Sequence, residues 1–253
     1  MKKMILLMFA IMMVTLGAFA QKSELEEGSD ISHKRFLTDE VCLKCVLSLP
    51  QPPSESSEKF ADDIKYYKWG KEEREKKNIR QEALREDEAS IFALFSSVLG
   101  MKVSKNSTPE IYKLAKTAIN DALFAAHKGQ EHFKRTKPYV YFHEESLTSK
   151  DDGADFNDKE NSYPSGHSTH GWILALVLSY IAPEHSEALM KCAEQYATYR
   201  AIMGRHWKSD IDAGKVLAIT IFSKEVGNLE YQQQLLKAKA EYNLKSADNF
   251  SIV

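Results

Sequence analysis

Apolar residues recur at steps of three and four through most of this chain, while strict alternation of apolar and polar positions is nearly absent. Phe60, Ile64 and Tyr67 carry the step after a start at Ser57 or Glu58, which predicts a helix opening there. Ile91 to Leu99 is apolar enough to be buried. Pro109 opens a longer segment through Ile111, Leu114, Ala115, Ala118, Ile119, Ala122 and Leu123, and the pattern carries it to Phe133. Three further helices are predicted over 167–181, 184–203 and 210–226, the last closed by Gly227 as a C-cap. Residues 71–88 alternate in charge and read as a solvated helix face laced with weak ion pairs. Residues 21–50 read as irregular, with Pro50, Pro52 and Pro53 breaking any helix, and 151–163 read as a polar loop. The expected fold is all-α, a compact multi-helix bundle in a single domain.

Composition changes this picture at the N-terminus. Lys2 and Lys3 precede an apolar run from Met4 to Leu16, and Ala18-Phe19-Ala20 forms a small-residue exit before Gln21. That layout predicts a signal peptide over 1–20, cleaved after Ala20, with export to the periplasm. The run is too short to span a membrane comfortably, and no cysteine follows the exit to carry a lipid, so no anchor is expected after cleavage. Loss of residues 1–20 leaves a net charge of about −4, which offers no long-range attraction to nucleic acid or anionic lipid. Three cysteines, Cys42, Cys45 and Cys192, in an exported chain suggest one disulfide with a thiol left over. Cys42-Leu-Lys-Cys45 lacks the second ligand pair that a zinc site needs.

Two segments carry candidate chemistry. Pro164-Ser165-Gly166-His167 is a turn leading into an apolar helix. Its backbone N–H groups and the helix N-terminus suit an anion, Ser165 adds a hydroxyl, Gly166 allows close approach, and His167 stands at the rim to exchange a proton. The second segment places Arg200, His206 and Asp210 in order. A spacing of four along a helix would put His206 and Asp210 on one face, where an aspartate accepting from one ring nitrogen fixes the tautomer and frees the other nitrogen to attack. Arg200 supplies a planar fork that matches phosphate oxygens. An ion pair of Asp210 with Arg205 or Lys208 is the plainer reading of the same charges.

These motifs resemble the signature of the type 2 phosphatidic acid phosphatase superfamily, which includes class A bacterial nonspecific acid phosphatases and vanadium haloperoxidases. The signature runs Lys-x6-Arg-Pro, then Pro-Ser-Gly-His, then Ser-Arg-x5-His-x3-Asp. The likeness to the soluble acid phosphatases extends from about residue 49 to 227 and takes in the proline-rich entry, Ser57, Phe60, Asp63 and Tyr67, and His206-Trp207-x-Ser209-Asp210-x-Asp212-Ala213-Gly214. The first motif departs from the pattern. Alignment on Pro138 puts Gln130 at the family's lysine and Lys137 at its arginine, with Lys134 and Arg135 near enough to compensate. Tyr199 replaces the serine before Arg200.

The resemblance implies hydrolysis of small phosphate monoesters without a metal or other cofactor. His206 would attack phosphorus and His167 would protonate the leaving group and then activate water. Asp210 would support His206, while Arg200, Lys137, Ser165, Gly166 and Gln130, Lys134 or Arg135 would hold the phosphate oxygens. With both histidines near ~6.5, a bell-shaped profile centred on mildly acid pH is expected. A weakly active or non-catalytic phosphate-binding homologue and a vanadate-dependent haloperoxidase stay open as alternatives. Class A relatives commonly self-associate, which leaves a homo-oligomer open too.

Overall fold

The computed structural model describes residues 33–88, 90–147 and 160–250. The leader read over 1–20 and most of the loop read over 151–163 lie outside them. The chain divides after Lys34, and Arg35–Val253 forms the compact unit that holds every helix named below. The helices are α1 (Asp39–Leu47), α2 (Glu58–Glu75), α3 (Lys77–Glu88), α4 (Ile91–Leu99), α5 (Pro109–Phe133), a single turn α6 (Pro138–Tyr141), α7 (Gly166–Ile181), α8 (Ser186–Ile202), α9 (Lys208–Glu225) and α10 (Leu229–Phe250). No strand occurs among the described residues, so the fold is all-α as the periodicity predicts.

α7 is the hub. It is apolar on nearly every side, with Trp172, Ile173, Leu174, Val177, Leu178 and Ile181 all buried, and a helix of that kind must be surrounded. It packs against α5, α8 and α9. α5 meets it with small residues, including Ala115, Ala118, Ala122, Ala125, Ala126 and Gly129, which let the two backbones approach. The N-terminus of α5 is capped from a distance: Glu241 of α10 accepts from the N–H groups of Glu110 and Ile111 at 3.1 and 2.9 Å. The expected starts at Ser57 and Pro109 are observed, with Ser57 Oγ accepting from the Phe60 N–H at 3.2 Å.

Several expectations are corrected. Residues 39–47 form α1 where irregular chain is expected. Thr38 caps it, and Cys42, Cys45 and Val46 turn into the core. The charged stretch 71–88 is broken at Lys76, and its second half docks on α8 rather than lying free in solvent. The helix expected from 184 begins at Ser186 after a 3-10 turn, and the helix expected from 210 begins two residues earlier, at Lys208. Val226, not Gly227, ends α9 in a right-handed conformation. All three cysteines are free. Cys42 and Cys45 lie on successive turns of one helix, where Cβ atoms stand ~5–6 Å apart, too far for a disulfide. Burial also pushes the Cys42 thiol up to about 12.

Candidate active site

The Pro-Ser-Gly-His turn is clamped between α5 and α9. Ser165 is the N-cap of α7, its Oγ accepting from the Ser168 N–H at 3.3 Å, and Gly166 is the first helical residue. The Tyr163–Pro164 bond is cis. Two glycines on the neighbouring helices make room. A Cβ at Gly129 would stand 2.6 Å from Pro164 Cδ, and one at Gly214 would stand 2.6 Å from the Ser165 carbonyl oxygen. The turn is also bonded to α9 through the Ser165 N–H, which donates to the Asp210 carbonyl at 2.9 Å. The sequence names both parts of the site, and this bond joins them.

His206 sits in the loop before α9, because Trp207 is the N-cap and Asp210 the third residue of that helix. The i, i+4 geometry expected of a shared helix therefore does not apply. His206 Nδ1 is 2.9 Å from the Ser162 carbonyl oxygen and 3.7 Å from Asp210 Oδ2. A carbonyl can only accept, so Nδ1 carries the proton and Nε2 is the free nitrogen. The direct bond from Asp210 is replaced by an indirect one. Asp210 Oδ2 accepts from Ser162 Oγ at 2.6 Å and from the Trp207 N–H at 2.8 Å, fixing the residue whose carbonyl holds the imidazole and the residue that follows it.

Behind Asp210 lies a closed network. Arg135 donates to Asp210 Oδ1 at 2.6 Å, to Ser209 Oγ at 2.7 Å and to Asp63 Oδ2 at 2.7 Å. Asp63, on α2, also accepts from the Ser209 N–H at 2.8 Å and from its hydroxyl at 2.6 Å. Burial pushes the Asp210 carboxyl up to about 6, opposed by Arg135, Ser162 and Trp207. Arg135, expected beside the phosphate, thus has its guanidinium engaged by two buried carboxylates. Lys134 is the exposed, left-handed C-cap of α5. Gln130 donates from Nε2 to the Pro164 carbonyl at 3.0 Å and so braces the turn.

Three other cations surround the histidines. Burial holds His206 well below the usual histidine range, and Lys137, Arg205 and Arg200 hold it lower still. His167 is open to solvent, yet its ring lies deep among protein atoms at the mouth of α7. Desolvation lowers it well below its ordinary value, with Arg200, His206, His170 and Lys137 adding to the effect. Lys137 is buried at the entry to α6, and Arg205 stands with its guanidinium 5.9 Å from the Tyr139 ring. In the sequence Arg205 offers itself only as an ion-pair partner for Asp210, although its place directly before His206 already sets its charge beside the imidazole.

Arg200, near the end of α8, is 2% exposed. Its Nη1 pairs with Asp87, while Nε and Nη2 are buried without a hydrogen-bond partner among the described residues. Those two nitrogens form the side edge of the guanidinium, the edge that meets two oxygens of a carboxylate or phosphate together. A buried, unmet fork near two histidines held below their ordinary range has the donors and the charge to receive an anion. Among the described residues no group of three or more His, Cys, Asp or Glu side chains is placed to hold a metal ion.

Comparison with known proteins gives the family of the chain. The model of the PAP2 superfamily matches residues 115–225, from within α5 to the end of α9. A non-specific acid phosphatase of Providencia stuartii is 32% identical over 248 residues, covering 96% of this chain and 98% of that protein. One from Salmonella typhimurium is 29% identical over 214 residues, covering 83% and 85%. An acid phosphatase of Zymomonas mobilis is 28% identical over 153 residues, covering 60% and 57%. The chain belongs to the PAP2 superfamily.

Proposed function

We propose that this chain, an acid phosphatase by its family and its relatives, hydrolyses small phosphate monoesters through a phosphohistidine on His206. The observation that carries the proposal is the free Nε–Nη2 edge of Arg200 beside a His206 whose Nδ1–H is tied to Ser162. His206 Nε2 attacks phosphorus in line as its bond to the ester oxygen breaks, and His167 delivers a proton to that oxygen. His167 then takes a proton from water as the water oxygen displaces His206 and releases phosphate.

Arg200 and Lys137, with Arg205 beside them, face the charge that gathers on the equatorial oxygens. The N–H groups of Gly166 and His167 and the Ser165 hydroxyl complete the cradle at the start of α7. Because these donors supply the positive charge, the reaction is proposed to need no metal. Asp210, Arg135 and Gln130 act one step back: Asp210 holds Ser162 and Trp207, Arg135 holds Asp210, and Gln130 holds the turn. Lys134 is left at the rim. The leader over 1–20 is proposed to direct export to the periplasm, and no helix among the described residues is long and apolar enough to cross a membrane.

The downward shift of both histidines modifies the pH expectation. His206 is neutral, as a nucleophile must be, but His167 must gain a proton to act as an acid. The charge of a bound phosphate opposes Arg200 and Lys137 and raises His167. The alkaline limb of the kcat profile, where His167 loses its proton, should therefore lie at higher pH than that of kcat/KM, and a full profile on p-nitrophenyl phosphate checks this. The same substrate, assayed with excess EDTA, tests the function. Turnover should survive chelation and vanish in His206→Ala. Near-normal turnover in that variant would sink the assignment.

A further inference from the structure

Resting on the reading of Arg200 as the phosphate fork, we propose that Asp87 is a positioning residue for catalysis, holding one corner of Arg200 so that its Nε–Nη2 edge faces the phosphate. Asp87 lies near the end of α3, in the charged stretch that the sequence presents as solvated. The structure gives that stretch one inward face. Ala83 is fully buried in a small cluster with Tyr199, Ile202 and Met203 of the α8 end. Around it, Glu82 accepts from the Tyr199 hydroxyl at 3.0 Å, Glu86 accepts from Gln195 at 3.2 Å, and Asp87 pairs with Arg200. α3 thus docks on α8 through Ala83, the partly buried Ile79 and three acidic side chains at steps of one and four.

Only the Asp87 contact binds a group of the candidate site directly, while Glu86 feels Arg200 through space. Glu82 and Glu86 bind Tyr199 and Gln195, neither of which acts on the histidines. Asp87 binds the largest charged influence on His167. A guanidinium buried to this degree needs a counter-charge near it, and Asp87 provides one while using only Nη1. A carboxylate that gripped the side edge would instead block phosphate. With five N–H donors in a fixed plane, one guanidinium can keep Asp87 at one corner and a phosphate along another edge. Tyr196, its ring 5.4 Å from the Arg200 carbon, supports the plane from a second direction.

The test uses the full-length protein and two readouts, steady-state hydrolysis of p-nitrophenyl phosphate and calorimetric binding of inorganic phosphate. Asp87→Ala should raise both KM and the phosphate dissociation constant about tenfold with a smaller change in kcat, the signature of a lost contact common to ground and transition states. Asp87→Asn keeps an acceptor at the same place but not the counter-charge, and should recover part of the affinity. Asp87→Glu keeps the charge but reaches a methylene too far, and should resemble the alanine variant. Glu82→Ala removes an equal docking contact of α3 without touching Arg200 and should leave KM alone. In the Arg200→Ala background, Asp87→Ala should change phosphate affinity no further.

An unchanged KM in Asp87→Ala, an equal effect of Glu82→Ala, or additivity with Arg200→Ala would overturn the proposal. So would a lowered KM, which would make Asp87 a competitor of phosphate. Those failures leave the phosphatase reading standing. A wild-type protein that neither turns over substrate nor binds phosphate would overturn both.

Discussion

Arg135 and Arg200 both bring a guanidinium into the interior near His206, and the protein treats them in opposite ways. Arg135 meets two buried carboxylates and a serine hydroxyl at 2.6–2.7 Å. Arg200 meets one carboxylate at one corner and leaves two buried nitrogens unmet among the described residues. An unpaired buried donor is costly, and an anion lying along that edge would meet both nitrogens at once. Saturation marks the frame that holds the candidate site together, and the open edge of Arg200 is where the proposed function puts the phosphate.

This contrast is open to attack by mutation. Arg135→Ala leaves Asp63 and Asp210 buried without their shared cation, and removing one partner of such a pair costs about 3–5 kcal/mol. Urea unfolding should show that loss in full, with activity falling as the frame loosens. Arg200→Ala should do the reverse. It removes unmet donors, so its unfolding free energy should change by less than ~1.5 kcal/mol, while kcat/KM for p-nitrophenyl phosphate should fall ~100-fold or more. Equal stability losses in the two variants would erase the distinction.

A smaller effect sharpens the same comparison. Burial is the first cause of the low His167 value and Arg200 is the next, while Arg135 is not among the causes. His167 should therefore titrate at higher pH in Arg200→Ala, followed by NMR, and should stay in place in Arg135→Ala. The sign for stability follows. A histidine held below its unfolded value binds fewer protons in the folded state, so stability is lost as pH falls below ~6.5 toward the folded value. Arg200→Ala should narrow that window of acid loss.

The parts of the candidate site that the sequence makes legible are the parts written contiguously. Pro164 to His167 and Arg200 to Asp210 each present their chemistry within a dozen residues, and the structure joins them through a single backbone bond from Ser165 to Asp210. What is not legible is made by distant pairs. Ser162 reaches His206 across 44 positions, Arg135 reaches Asp63 across 72, and Arg200 reaches Asp87 across 113. No spacing rule covers such separations. The fold follows the same division. α5 and α9 are readable because a period of three and four runs unbroken along a buried face, and α7 because its apolar run is nearly continuous. α1 is only nine residues long, and α3 is held by acidic side chains that look like surface until their partners are known.

The central claim is that His206 becomes covalently phosphorylated during turnover. Substrate mixed with excess enzyme, quenched within one turnover in alkali to spare phosphoramidate bonds, and read by peptide mass spectrometry, tests it directly. The account predicts phosphate on the peptide containing His206, on Nε2 and absent in His206→Ala. Turnover with phosphate on another residue, or on none at any quench time, would contradict it.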